Sequence, residues 1–365
     1  MKKHTIILLI LLMILSLMGC KKKDGTENIP SVTPTPTPTA TPTPTAAPTV
    51  EPENHDGEAK SLLTGLWVPE ETSKKRPYAI MLNNIKLASP QSGTSEAAIL
   101  YEAIVEGGIT RLMGIFEDLN ETRIGSARSA RHYFVSFADE YDAIYVHYGE
   151  TVYATRKISE LGIDNLSGLT NLGETVFYRD KSIKKPHNAF ATKEGILKGT
   201  KIKGYDTEYP KDYEGHFKFY DEDTDLTSDQ KAEKVTLKFS NYASPYFTYD
   251  SKEKLYNRFQ FDTEHIDYNT GKQLTFKNII VQFVKEWNID KNGYQTMDIE
   301  NAQGKGYYVT NGKKVDITWT KNESSRKMRY YDAQGKELTI NPGKTYIAVF
   351  PDNRTGDVVL SDKAE

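Results

Sequence analysis

The sequence predicts an α+β protein: an α/β layered domain over residues 61–215, then a mostly antiparallel, β-rich domain over residues 233–365. Three observations predict it. Between Tyr78 and Lys198, apolar runs of strand length alternate with stretches whose apolar residues recur at helical spacing. From Val235 onward, apolar and polar residues alternate and turn residues follow at short intervals. Between the two lies an acidic stretch, residues 216–232, which carries Asp221-Glu222-Asp223-Thr224-Asp225 and reads as a linker.

Ahead of the first domain stand two segments of different composition. Lys2 and Lys3 precede an apolar run from Ile6 to Met18 broken only by Ser16, too short for the roughly 20 residues of a membrane-spanning helix. The run ends Leu17-Met18-Gly19-Cys20, so residues 1–20 read as a lipoprotein signal peptide cut before Cys20. The cysteine would be diacylated, through a diacylglycerol with chains such as palmitate, and two chains anchor stably where one does not. This places the protein, as an expectation, on the extracytoplasmic face of a bacterial cell membrane. Residues 21–60 hold eight of the 16 prolines, mostly as Thr-Pro repeats that favour polyproline II. The twenty residues from Thr33 to Pro52 would span ~60 Å at ~3.1 Å per residue, a proline-rich spacer holding the folded part off the membrane.

In the first domain, Tyr78 to Leu82 reads as a strand followed by Asn83-Asn84. Pro90 to Gly93 reads as a turn. Ser95 caps an expected helix with Ala97, Leu100, Tyr101 and Ile104 on one face, ended by Gly107-Gly108. Arg111 to Phe116 reads as a central strand, apolar on both faces. A helix is expected over 126–141, then a strand over Ala143 to Val146 and a helix over Thr151 to Leu161. Short strands at Val176–Tyr178 and Ala189–Phe190 and a short helix at Lys193–Lys198 follow. In the second domain, strands are expected at Val235–Phe239, Tyr246–Tyr249, Leu255–Phe259 and Ile279–Val284. Asn311-Gly312 between two alternating runs marks a hairpin. A second hairpin turns at Ala333–Lys336, and Asn341-Pro342-Gly343 leads into Thr345–Phe350.

The chemistry is sparse. With one cysteine in the chain no intramolecular disulfide forms. A net charge of −3 makes a poor nucleic-acid binder, and removal of Lys2 and Lys3 with the leader lowers it to −5. None of the seven histidines stands in a His-x-x-x-His pair, and the Asp221 run lacks the glycine and the final glutamate of a calcium loop, so neither a metal nor a cofactor is expected. The expected ligand-binding site lies at the start of the 126–141 helix. Arg128, Arg131 and His132 would share one side, beside free N–H groups and the positive dipole end. Such an end suits an anion, which guanidinium grips with two parallel bonds. Glu102, Glu106, Asn83, His147 at the carboxyl end of a strand, and His187 in the charged loop after Asp180 complete the candidate set. The structural alternative is open: the arginines would pair with Glu102, Glu106, Glu117 or Asp118. His147 would then be a hydrogen-bonded packing histidine. His265 and Asp267, two apart on one strand face, read as surface polar groups.

Long segments resemble the YerB-like bacterial lipoproteins, a family of unknown function. They are Arg76-Pro-Tyr-Ala-Ile-Met-Leu-Asn-Asn84, Pro90 through Arg111, Arg123-Ile-Gly-Ser-Ala-Arg-Ser-Ala-Arg-His-Tyr-Phe134 and Phe177 through Asn188. The resemblance covers about residues 65 to 352. Ser126 and His132 stand where the family pattern has prolines. The resemblance implies a two-domain surface lipoprotein and supplies no catalytic residues. The expected partners are therefore the membrane, through the anchor, and an anionic cell-wall polymer or envelope protein, with no nucleic acid. The leading expectation is a non-enzymatic binding protein. The alternative is an enzyme, a transferase or hydrolase acting on envelope polymers, with Glu102, Glu106 or His147 as acid or base. A third is a scaffold whose tyrosine-rich β domain binds a protein.

Overall fold

Each strand of the central sheet exists because its apolar residues are needed on one or both faces, and they appear in the chain as follows. The strands are β1 (Tyr78–Asn84), β2 (Ile99–Ile104), β3 (Thr110–Phe116), β4 (Ile144–His147), β5 (Asn165–Ser167), β6 (Asn278–Val284), β7 (Ala302–Thr310), β8 (Lys313–Lys321), β9 (Met328–Tyr331) and β10 (Thr345–Pro351). The computed structural model describes residues 54–322 and 324–364. The leader over 1–20 with Cys20, and the Thr/Pro-rich stretch up to residue 53, lie outside the described residues. Glu58–Lys60, inside the stretch expected as linker, pair with Trp67–Pro69 as a short hairpin.

The ten strands form one mixed sheet in the order β9-β8-β7-β6-β10-β2-β3-β1-β4-β5. The sheet runs without a break through both halves of the sequence. β10, from the end of the chain, inserts between β6 and β2 and is parallel to both. Residues from Asn54 onward form one compact unit. Because successive side chains on a strand point to opposite faces, the sheet feeds two cores. Ile80, Leu82, Leu100, Ile279 and Tyr346 lie on one face with Val235, Phe247 and Tyr256 of a second, six-stranded sheet and with Ile196 of α3 (Lys193–Lys203). Met81, Tyr101, Met113, Tyr145 and Ile347 lie on the other, with Phe134 and Phe137 of α1 (His132–Asp139) and Ala154 of α2 (Val152–Leu161). Each fully buried Leu, Ile or Phe contributes about 1.5–3 kcal/mol.

The expected α+β class with a strand-rich C-terminal region is what the chain adopts. The Asn311-Gly312 hairpin closes as the dipeptide requires. Thr310 pairs with Lys313, and both loop residues take positive φ, 49° and 71°. Thr151 caps α2 by accepting the Ala154 N–H. Two expected helices are corrected. Ser95–Ile104 is a three-residue 3-10 turn, Thr94–Glu96, followed by strand β2, every residue of which is buried. A strand buried on both faces is apolar at nearly every position, so helical spacing occurs in it by coincidence. The 126–141 helix begins only at His132. Residues 126–130 are extended because their backbone groups bond other segments: Ala127 N–H donates to Ala189, Arg128 N–H to Met81 and Ala130 N–H to Gly149. A side chain on Gly125 would sit 2.7 Å from the Ala127 nitrogen, so glycine is required where this segment crosses. His265 and Asp267 are also corrected: both are buried, and the Asp267 carboxylate accepts the backbone N–H groups of Gly93, Ser95 and Asn269.

Candidate functional site

The extended 126–130 segment, rather than a helix start, sets the arginines. Arg131 is the residue before α1, and its guanidinium grips Glu106 through Nε at 2.8 Å and Nη2 at 2.5 Å. It also donates to the Ala130 carbonyl at 2.9 Å. Burial works against the Arg131 charge, but the bonds and charge of Glu106 overcome it and push the pKa up. Burial likewise works to raise Glu106, and Arg131 pulls it below the usual carboxylate range. For Arg131 and Glu106, the internal ion pair is the arrangement present.

Arg128 is different. Its Nη1 donates to the Pro186 carbonyl at 3.2 Å, and it forms no ion pair among the described residues. Its Nε is buried without a hydrogen-bond partner. Burial, then the nearby positive charge of Arg131, lowers its pKa. Near it lies Arg111 of β3, 4 % exposed, which donates to the Ser129 carbonyl at 2.7 Å. Burial, Arg131 and Arg128 together bring Arg111 down to about 9, so it remains charged at neutral pH. Three guanidinium groups thus lie near one another, and Glu106 pairs with one of them, Arg131.

The loop from Asp180 to Asn188 meets Arg128 through the Pro186 carbonyl. Its base is fixed by Asn188 Nδ2, which donates to the Asp180 carbonyl, and by Arg123, which pairs with Asp180 at 2.9 Å and stacks 3.6 Å over Phe190. The loop brings His187 to Asn83 at the end of β1. The Asn83 Nδ2 lies 3.0 Å from His187 Nδ1 and 3.3 Å from the Ser126 hydroxyl. A donating amide leaves His187 Nδ1 as acceptor and its proton on Nε2. Burial, then Arg128 and Lys184, lowers the His187 pKa, which favours the neutral ring. Asn83, Ser126, Arg128 and His187 therefore share one place, with a fork of donors and little negative charge.

The remaining candidates lie elsewhere. His147 is 1 % exposed, with Nδ1 against the Gly149 carbonyl at 2.9 Å, and it shares no bond with Arg128. His132 contacts the Thr296 hydroxyl at 2.7 Å, and burial, then Lys157, brings it down to about 4. Glu102 is fully buried and paired with Arg258 at 2.6 Å, while also accepting from Tyr346, Asn84 and Thr110. His147, His132 and Glu102 thus bond within the fold rather than to Arg128. Among the described residues no group of three His, Cys, Asp or Glu is placed to hold a metal ion. Asp223 of the acidic stretch instead pairs with Lys254 and Lys277. No helix among the described residues is long and apolar enough to cross a membrane.

Sequence reasoning missed Arg111. Its signal was a charge set inside an otherwise apolar strand. It also missed the Glu102 partner Arg258, which nothing local marks.

Residues 63–206 match the N-terminal domain and residues 235–347 the C-terminal domain of the protein of unknown function DUF3048. The chain is 32% identical over 294 residues to the putative lipoprotein YerB of Bacillus subtilis (strain 168), covering 80% of this chain and 86% of that protein. The crystal structure of the YerB protein from Bacillus subtilis matches with a TM-score of 0.74 and 29% sequence identity, over 83% of this chain and 99% of that one.

Proposed function

This chain belongs to the DUF3048 family, and from that premise we propose that it is a lipoprotein anchored through Cys20 to the outer face of the cell membrane, where it binds an anionic group of a cell-wall polymer or envelope protein. The name of the relative as a putative lipoprotein supports the anchor, as does the Leu17-Met18-Gly19-Cys20 sequence after a short apolar run. The observation that carries the binding role is Arg128. It is a guanidinium with no acid partner among the described residues, beside Arg131 and Arg111, of which Arg131 is paired with Glu106.

The chemistry follows from what is left over. Nη1 of Arg128 is used on Pro186, so Nε and Nη2, whose N–H bonds run side by side, remain for the two oxygens of a phosphate or carboxylate. His187 offers a further N–H. The charge of Arg111 behind them favours an anion without touching it. The site needs a local shift to open, because Arg128 Nε is buried as it stands.

The test is calorimetric titration of a poly(glycerol phosphate) into the wild type and Arg128→Ala. The variant is expected to lose at least tenfold in affinity and keep its melting temperature, and wild-type binding is expected to weaken with added salt. Equal affinity in the variant would overturn the role of Arg128. Lipid labelling that survives Cys20→Ala would overturn the anchor.

A further inference from the structure

A second site lies where the two family domains meet, and it does not depend on the Arg128 reading. A cleft of about 550 Å³ opens between the segment after β1, which supplies Lys86 and Pro90, and the hairpin of the strands Leu255–Gln260 and Thr263–Glu264 with the residues that follow it. Its volume is in the range of small-molecule sites, which favour such junctions.

Gln260 and His265 line the cleft and are themselves 2 % and 3 % exposed. Arginine has only donors, so His265 Nδ1 accepts from Arg258, and its Nε2–H donates to the Gln91 side-chain oxygen at 2.6 Å. The Gln260 oxygen accepts from Arg258 Nη2 at 2.7 Å. That leaves the Gln260 amide nitrogen, a donor without an acceptor among the described residues. Buried amide groups of this kind are rarely left unpaired.

The hairpin turn is the second observation. Gln260 pairs with Thr263, so Phe261 and Asp262 form a two-residue loop, and both take positive φ, 55° and 63°. Turns of this geometry ordinarily use Asn-Gly or Asp-Gly. A bulky aromatic in the left-handed region is a genuine outlier, and such outliers gather at functional sites. Phe261 lines the cleft, and Tyr242, 43 % exposed, stands edge-on to it at 5.7 Å. The Tyr242 hydroxyl accepts the Lys86 N–H at 3.2 Å, which ties the aromatic corner to the segment after β1.

We propose that this cleft binds an uncharged sugar ring: Phe261 offers a stacking face, the Gln260 amide seeks an acceptor oxygen, and Lys86 and Glu264 at the rim cancel in charge. A peptide would not need the strained aromatic, and an anion would meet Glu264. The carbonyl of an N-acetylated sugar supplies the missing acceptor once the Gln260 side chain turns toward the cleft, because its nitrogen is buried as the side chain stands.

The probe is the trisaccharide of N-acetylglucosamine, titrated by calorimetry into the wild type, Phe261→Gly and Phe261→Asn. Glycine and asparagine both suit left-handed backbone, so both variants are expected to fold and to melt at or above the wild-type temperature. Both are expected to bind the trisaccharide at least tenfold more weakly. The proposal is overturned if the wild type does not bind the probe, or if either variant binds as well as the wild type. It is overturned equally if both variants melt several degrees lower, because Phe261 would then be a packing residue.

Discussion

Two arginines in this molecule meet opposite fates. Arg258 is fully buried and sits against Glu102, with Tyr346 and Asn84 completing the carboxylate's shell. Arg128 is partly exposed and has a carbonyl where Arg258 has an acid. Both have an Nε without a partner among the described residues, so an orphaned N–H does not by itself mark a binding residue. Charge does. Arg258 is neutralised within the fold, and its pair joins the two halves of the chain. Arg128 lies near Arg131 and Arg111, and the nearby Glu106 has both of its oxygens taken by Arg131. An arginine without a carboxylate beside other arginines is open to negative charge supplied from outside the protein.

The largest expected effect breaks the comparison at its structural end. Removing one member of a buried pair strands the other, so Glu102→Ala should cost about 3–5 kcal/mol, read as a large fall in the denaturation midpoint. Little change would mean that Arg258 is not held by charge. Arg131→Ala should cost less, about 1–2 kcal/mol, since Glu106 is partly exposed and water can take over its oxygens. A third effect sharpens the contrast through pH. His132 is held neutral, with a pKa of about 4 against an ordinary 6.5. As pH falls through 6.5 the unfolded chain takes up this proton and the folded one does not, so stability drops between pH 6.5 and 4. His132→Asn should flatten that part of the melting-temperature profile; an unchanged slope would assign it to other groups. The smallest effect is Arg128→Ala, expected within about 0.5 kcal/mol of the wild type, because no ion pair is lost.

The same contrast explains what could be read in the sequence. Where local pattern and tertiary contacts agree, the reading carries through: β1, β3, β4 and α2 lie where their apolar spacing put them, and Asn311-Gly312 makes its hairpin. Ser95–Ile104 misled because a strand buried on both faces has no polar side to reveal its period. The Ser126–Ala130 segment misled for another reason. Its extended form is fixed by Met81, Gly149 and Ala189, and nothing within the segment encodes those partners. The arginine segment was therefore legible as a site but not in its geometry. Asn83, Arg128 and His187 meet only through the fold, and Arg258 stands 156 positions from Glu102.

The most direct measurement follows the arginine Nε–H resonances of the folded protein by nuclear magnetic resonance while inorganic phosphate is added. The Arg128 signal should move and saturate, while that of Arg131, locked on Glu106, stays in place. An unmoved Arg128 signal, or an Arg131 signal that moves first, would contradict the claim that Arg128 is the guanidinium kept for a ligand.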